Sequence, residues 1–556
     1  MRSGTDDNAN NVTYNDGLAT EYTVKDATLI IFNNATNEDD ATFVGAYSIN
    51  TSPWASGTSH NVTEYSTKVI RLVANEVVAG YRVMVVLNKN DILEVTASDD
   101  GLKVNGTALE AGTTTYGTFR KKLTTAITSL DASPMTTTGF FMSNAPLSSS
   151  QGSTTTLVSG TTQTLVPITA GAIYKTEAAA EAGTTYDQVY VERGFAKVTM
   201  QSNSGTMTSA KVESTPLTWE VTGWMLDNTA PTTYLIRSTD NDAAFRNLHS
   251  NISGGVYRYA GNTQINDGEN HPSGKYRTYF AQSVGYDTWA ASGTYALNTY
   301  SSGDFSTDFG TNNPKYCFEN TFDVDHQNVK NTTLVQIAIT AKNGGSAVDL
   351  YTLGGHKSVV YTEDLLKAKI QEMAYAVMKG DGVTGTYGTS DITVTMPATS
   401  VAGKVEVSST NLKVVPDVTK ITSGFNETSF YTNLNAALGE LTCYKNGLTY
   451  YSVRIKHFGD DLTPWNTTEF GSGTAPSSSN IYPDNSSNRN GDYLGRYGVL
   501  RNNWYDINVN SVRSLGDAEP HEGTWPDTPD DELDNYLSFR INVLSWAKHK
   551  TQDADL

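Results

Sequence analysis

The sequence predicts a mainly β protein, with two β-sandwich domains, a few short helices and a separate strand at the C-terminus. Three observations lead there. Apolar residues recur with period two in many short runs, the pattern of half-buried strands. Clusters of Gly, Asn, Ser and Pro separate these runs as turns do in sandwiches. Few stretches carry a helical stripe, and no internal repeat is visible. A chain of 556 residues is long enough for two or three domains, each with its own core.

Taken in order, residues 1–17 form a polar leader expected to be flexible. A first sandwich is expected over residues 18–215. It opens with the strand Ala27–Phe32 and continues with residues 81–88, where Tyr81, Val83, Val85 and Leu87 share one face. Asn105-Gly106 marks a tight hairpin, because these residues accept the positive φ angles of a type I′ turn. Phe119, Leu123, Ala126, Ile127 and Leu130 have the spacing of a short amphipathic helix, and Phe140 to Met142 reads as a strand. From Val189 to Met200 the apolar phase shifts around Gly194, which suggests a β-bulge. The character changes near Ser214-Thr-Pro-Leu217, where the domain boundary is placed.

A second sandwich is expected over 216–514. Trp219 to Leu226, Leu334 to Thr340 and Tyr497 to Asn510 have strand patterning, and Leu441 to Ile455 reads as a hairpin about Asn446-Gly447. Residues 239–314 are aromatic but Gly- and Asn-rich, and are expected to form an elaborated surface loop. The best helix runs from Thr362 to Met378. Thr362 is its N-cap, Leu366, Ile370, Met373, Ala374 and Val377 are its buried stripe, and Gly380 is its stop.

Residues 515–534 form a spacer with three prolines, eight carboxylates and no Lys or Arg, expected to stay extended and solvated. Residues 535–556 carry the last strand. Leu537, Phe539, Ile541 and Val543 alternate with Ser538, Arg540 and Asn542. The alternation slips at Leu544, so Trp546 belongs to a separate element. A strong β-segment on a polar tether can complete its own domain or pair with another chain.

Composition limits the function classes. A net charge of −20 disfavours a phosphate-backbone partner, so no nucleic acid is expected. Only 18% of residues are charged, and Thr, Ser, Asn, Gly and Tyr fill much of the rest, the balance of an extracellular β-rich protein. Cys317 and Cys443 have no metal spacing and make no disulfide framework, though they leave a single bridge open. No apolar run is long enough to span a membrane as a helix. The opening residues lack the apolar core of a signal peptide, which fits a trimmed or mature form. The ten Asn-x-Ser/Thr triplets are expected by chance in such a composition and are assigned no role.

Motifs for chemistry are absent. Gly268-Glu-Asn-His-Pro-Ser-Gly-Lys-Tyr276 resembles a P-loop but has five residues between its glycines and ends in Tyr. Asp323-Val-Asp325-His326 puts cation-ligand types on one strand face, yet reads better as a solvated edge. The carboxylate pairs Asp460-Asp461 and Asp530-Asp531 are adjacent and tend to diverge, whereas a glycosidase holds two carboxylates across a cleft. No catalytic residue, cofactor or metal is therefore expected, and the chain is read as not an enzyme.

The segment Tyr497-Gly-Val-Leu-Arg-Asn-Asn-Trp-Tyr-Asp-Ile-Asn-Val-Asn-Ser-Val-Arg-Ser-Leu-Gly516, the acidic spacer and Phe539-Arg-Ile-Asn-Val-Leu-Ser-Trp546 together resemble the major subunit of Mfa-type (minor) fimbriae, the type V pilins of Bacteroidia. Further matches are Val83 to Asn88, Val189 to Met200, Trp219 to Arg237 and Tyr316 to Thr321. Ser545 stands where this ending is expected to have Pro. Residues 239–313 and 143–165 have no counterpart.

The resemblance implies transthyretin-like or Greek-key sandwiches, a strand-accepting groove in the first domain and a C-terminal donor strand. It implies a shaft subunit that polymerises head-to-tail by protease-triggered donor-strand exchange and supports adhesion. Arg2-Ser3 would be the processing position, and Leu537, Phe539, Ile541 and Val543 the pegs that fill the groove. Implied partners are other copies of the chain, accessory anchor and tip pilins, an Arg-specific maturation protease, and a host or bacterial receptor. The implied location is an extracellular fimbrium on the outer membrane, reached as a lipoprotein precursor. Alternatives are a tip or accessory adhesin binding glycan or protein through residues 239–314, or a polysaccharide-acting surface protein.

Overall fold

The computed structural model describes residues 6–7, 12–51, 53–57, 61–72, 78–96, 101–123, 137–151, 162–239, 260–266, 269, 271–323, 326–397, 401–458, 495–526, 537–544, 547–548 and 552–553. The protein is mainly β, as its patterning predicts.

The first unit is organised around Ala27–Phe32, which pairs antiparallel with Phe43–Ile49 on one side and Arg82–Leu87 on the other. Met142–Asn144 and then Val191–Arg193 extend the sheet to five strands, and Val166–Pro167 also pairs with Arg82–Leu87. Both faces of this sheet are covered. Ile30, Phe32, Met84 and Val86 enter one core; Leu29, Ile31 and Val83 enter a smaller one on the other side. The single apolar face expected for residues 81–88 is therefore two faces, because other segments pack on each. Asn105 (φ 48°) and Gly106 (φ 77°) make the expected tight turn between Leu102–Val104 and Thr107–Ala108. The helix expected from Phe119 begins earlier, at Tyr116–Arg120, capped by Thr115, and ends before Leu123; residues 124–130 lie outside the described part.

The phase shift at Gly194 is real, but it is not a bulge. Val191–Arg193 belongs to the first sheet, whereas Ala196–Met200 pairs in parallel with Trp504–Val512 in another. Gly194-Phe195 carries the chain between sheets, so each side keeps its own inward phase.

The second unit is a β-sandwich. One sheet has the order 359–360, 204–212, 215–227, 334–342, 448–454; the other runs 6–7, 12–14, 547–548, 537–544, 504–512, 196–200, 315–317. Between them lie Val198, Met200, Trp219, Trp224, Val335, Ile337, Val453, Ile507 and Val509, all buried. Residues 214–217, the expected boundary, sit at the turn of the hairpin Ser204–Val212/Thr215–Asp227, and both of its strands contribute to this core.

A third core lies within 351–443. Leu366, Ile370, Ala374 and Met378 of the helix Glu363–Gly380 pack there with Phe430, Leu434 and Leu438 of Glu427–Leu438. Thr362 is the N-cap by position but its side chain makes no cap bond, and the left-handed stop is Gly382 (φ 75°) rather than Gly380.

Two further expectations are corrected. Asn446 (φ 52°) and Gly447 (φ 70°) form the expected left-handed turn, but not a hairpin. Thr442–Tyr444 pairs with Leu350–Thr352 and Gly403–Lys404, while Leu448–Arg454 pairs with Leu334–Lys342. The turn thus links the second and third units. Residues 260–314 are also more than a surface loop. They contain the hairpin Ala260–Asn266/Pro272–Thr278 and the helix Val284–Ser292, capped by Ser283, and they bury Tyr279, Phe280 and Trp289. Their aromatic rings supply the apolar surface that their overall composition hides.

Candidate functional site

Strand Trp504–Val512 is the seat of the C-terminal strand. Tyr505, Ile507, Val509 and Val512 are buried. On the alternate positions Asp506 accepts hydrogen bonds from Thr199 Oγ1 and Gln201 Nε2, both at 2.7 Å, and Asn508 accepts one from Asn203 Nδ2 at 2.6 Å. One face is thus apolar and the other is tied by polar side chains to neighbouring residues 199–203.

Leu537–Leu544 lies antiparallel along this strand. Val543, Ile541, Phe539 and Leu537 stand opposite Tyr505, Ile507, Val509 and Val512. A register shift between Val509 and Ser511 leaves Asn510 as the extra residue. After Leu544 the chain turns back: Ala547–Lys548 pairs with it at Leu544↔Lys548, and Gln552–Asp553 pairs with Arg540 and Ile541. Trp546 lies outside the described residues, as do Arg2, Ser3, Asp325, Asp460, Asp461, Asp530 and Asp531.

The spacer is not the solvated tether that its composition suggests. Its first part is docked. Tyr450 and Asp517 exchange backbone hydrogen bonds of 2.8 and 2.9 Å, and Lys357 pairs with the Asp517 carboxylate at 3.0 Å. The Gln336 side chain bonds to both the N–H and the carbonyl of His521. Trp525 stacks on His521 at 3.8 Å and donates from Nε1 to Asp227 Oδ2 at 2.8 Å. A Cβ on Gly516 would collide with the Tyr450 carbonyl, so only glycine fits there. Net charge hides these contacts because Leu515, Ala518 and Trp525 do the docking.

The leader is likewise partly structured. Val12–Tyr14 pairs with Ala547–Lys548, at Thr13↔Lys548 and Tyr14↔Ala547, and Asp6–Asp7 pairs with Val12–Tyr14. Both ends of the chain therefore share one sheet. Tyr14 is 2% exposed, its hydroxyl lies 3.2 Å from that of Tyr279, and the Arg277 guanidinium sits 5.3 Å from its ring.

Beside this sheet lies a buried ionic cluster that the sequence reading missed. Lys197 and Glu21 pair at 2.7 Å with neither side chain exposed, and Tyr316 donates to Glu21 Oε1 at 2.6 Å. Burial holds the Lys197 ammonium below its ordinary range, opposed by Glu21, and Lys197 also lies over the Trp504 ring at 3.8 Å. Burial lowers Arg193 to about 10; its guanidinium donates to the Glu21 carbonyl and to Asn502 Oδ1. Arg237 pairs with Glu192 at 2.8 Å, and Arg501 with Glu319 at 2.6 Å. The one available signal was Arg501-Asn502-Asn503 itself, polar residues leading into an apolar strand.

Asp323 and His326 form a pair at 2.7 Å, and among the described residues no cluster of three or more His, Cys, Asp or Glu is placed to hold a metal. Cys317 and Cys443 are free, buried thiols in different cores. What the described side chains do here is hold strands together.

Residues 480–552 match the family model for the major fimbrial subunit protein type IV, fimbrillin, C-terminal. That span contains the seat strand, the docked spacer and the C-terminal strand. None of the curated proteins matches the chain. Among solved structures, a candidate cell adhesion protein from Parabacteroides distasonis overlaps at 11% identity and TM-score 0.31, covering 97% of this chain and 91% of that one. Another from Bacteroides eggerthii overlaps at 10% identity and TM-score 0.27, covering 94% and 89%. Overlaps this loose carry no argument. The family match falls on the elements described above, and over residues 480–552 the chain is similar to the C-terminal part of fimbrillin-type fimbrial subunits.

Proposed function

We propose that the chain is a shaft subunit that polymerises head-to-tail by exchange of its C-terminal strand, and that the fibre supports adhesion. One observation carries this reading: just after a docked spacer, Leu537–Leu544 meets the body along one long ladder, on Trp504–Val512, and its Ala547–Lys548 arm adds only a short pairing with Val12–Tyr14. A strand held chiefly by one ladder can leave and form an equivalent ladder on another subunit.

The acceptor in this reading is the first unit of the next subunit. Its sheet ends at Phe43–Ile49, and the core beneath Leu29, Ile31, Tyr47 and Val83 is closed mainly by half-buried side chains, among them Val44, Ile49, Ile70, Leu72 and Ile168. Four pegs, Leu537, Phe539, Ile541 and Val543, contribute about 1.5–3 kcal/mol each on burial. That gain of about 6–12 kcal/mol, with the backbone ladder, exceeds an association cost at the lower end of its range. Repeated donation of one end to a different surface gives an open, heterologous fibre. The reading includes maturation between Arg2 and Ser3 by an Arg-specific protease, and assembly on the outer membrane with anchor and tip subunits.

The test is electron microscopy of the full-length chain beside a variant lacking residues 535–556. The full chain should form filaments and the truncated one should stay monomeric. Filaments of normal length from the truncated protein would sink the mechanism.

A further inference from the structure

The two ends of the chain meet in one sheet, and they are held there unequally. The C-terminal elements follow eleven residues that lie between the docked Trp525 and the strand at Leu537. The N-terminal strand is fastened directly to the body. Tyr14 is buried with its hydroxyl against Tyr279 and its ring near Arg277. Two residues later the Asp16 carbonyl accepts from Arg193 Nη2 at 3.3 Å, and Leu18 N–H donates to Glu21 Oε2 at 2.8 Å. Glu21 is itself locked to Lys197.

We infer that Val12–Tyr14 is a latch on the C-terminal strand, with Tyr14 as its positioning residue, and that it sets how readily Leu537–Leu544 leaves its own sheet. The chain's last segment folds back on itself at Leu544↔Lys548, and its Ala547–Lys548 arm is the part that Val12–Tyr14 grips. Departure of the strand from Trp504–Val512 therefore breaks the bonds to Val12–Tyr14 as well. A strand anchored by a buried tyrosine adds its ladder to that of Trp504–Val512, and both must open together. The inference rests on the exchange reading for its consequence, but the contact it concerns belongs to the single chain.

Amide hydrogen exchange on the full-length monomer tests it. In Tyr14→Ala, amides of residues 537–548 should exchange at least about tenfold faster, as expected when a local opening is eased. Amides of the helix Glu363–Gly380 should stay as they are, which shows that the fold persists. Tyr14→Phe keeps the buried ring and should behave almost as the parent. Lys548→Pro weakens the same contact from the other side, through loss of an N–H and a rigid φ, without touching Tyr14. It should also speed exchange in 537–544. Unchanged exchange there in both Tyr14→Ala and Lys548→Pro would overturn the latch. Filaments from the chain lacking 535–556 would instead overturn polymerisation by this strand and leave the latch standing.

Discussion

Arg501 and Glu319 form an ion pair of 2.6 Å in which neither side chain reaches solvent. The same guanidinium donates to Thr233 Oγ1 at 2.7 Å and to the Tyr234 carbonyl at 2.8 Å. Leu235 and Ile236, next in the chain, are buried in the first core, while Arg501 leads into the seat strand of the second. The pair is thus a rivet between the two units.

Removing one partner of such a pair leaves the other charge buried and uncompensated. Arg501→Met should lower stability by about 3–5 kcal/mol, and Arg501→Met with Glu319→Leu should recover a large part of it. Urea unfolding of the parent, the single and the double variant measures both effects. A single variant as stable as the parent would remove the rivet.

His457 makes stability depend on pH. Its ring is buried, Nε2 lies 2.9 Å from the Tyr279 carbonyl and Nδ1 lies 2.9 Å from the Tyr505 hydroxyl. A carbonyl only accepts, so Nε2 carries the proton and Nδ1 accepts from Tyr505. Burial lowers the pKa to about 4 from an ordinary 6.5. Below the ordinary value the unfolded chain takes up a proton that the folded chain refuses. This contribution is complete above the ordinary value and falls away as pH drops towards about 4, a loss of at most about 3 kcal/mol. His457→Gln should flatten the urea midpoint between pH 7 and pH 4 relative to the parent; equal slopes would refute the assignment.

Cys317 and Cys443 are expected to be inert in the folded state. Burial raises their thiols to about 12 and about 11, so little thiolate exists at neutral pH. A thiol-reactive dye should label neither cysteine in native protein and both after denaturation, and a reducing agent should leave the melting temperature unchanged. Rapid labelling of the native protein would contradict this burial.

Much of the fold was legible because strands announce themselves locally. Ala27–Phe32 was readable as a short apolar run, Leu334–Lys342 and Leu537–Leu544 from alternation, and Asn105-Gly106 from its tolerance of positive φ. What failed was partnership. Asn446-Gly447 gave the right turn and the wrong pairing, since local φ angles do not say which sheet each strand enters. Gly194 gave a true phase change and the wrong cause for the same reason. The docking of Trp525 and the pairing of Lys197 with Glu21 depend on contacts between residues more than a hundred positions apart, which local patterning does not carry, and composition read the spacer around Trp525 as solvated.

The four pegs give the most direct test of assembly. Phe539 and Ile541 occupy alternate positions of Leu537–Leu544, the middle of the run that fills an apolar groove in the proposed exchange. Asp at either position would bring an unpaired carboxylate into that groove, where desolvation outweighs what the remaining pegs contribute. Phe539→Asp and Ile541→Asp should therefore abolish elongation. Ser538→Asp adds the same charge on the opposite phase of the alternation, and should leave filaments intact if the four pegs alone enter the groove. Electron microscopy of the three variants under one set of conditions decides the matter. If all three polymerise, or if Ser538→Asp fails with the other two, the alternation of the C-terminal strand is not what selects its partner.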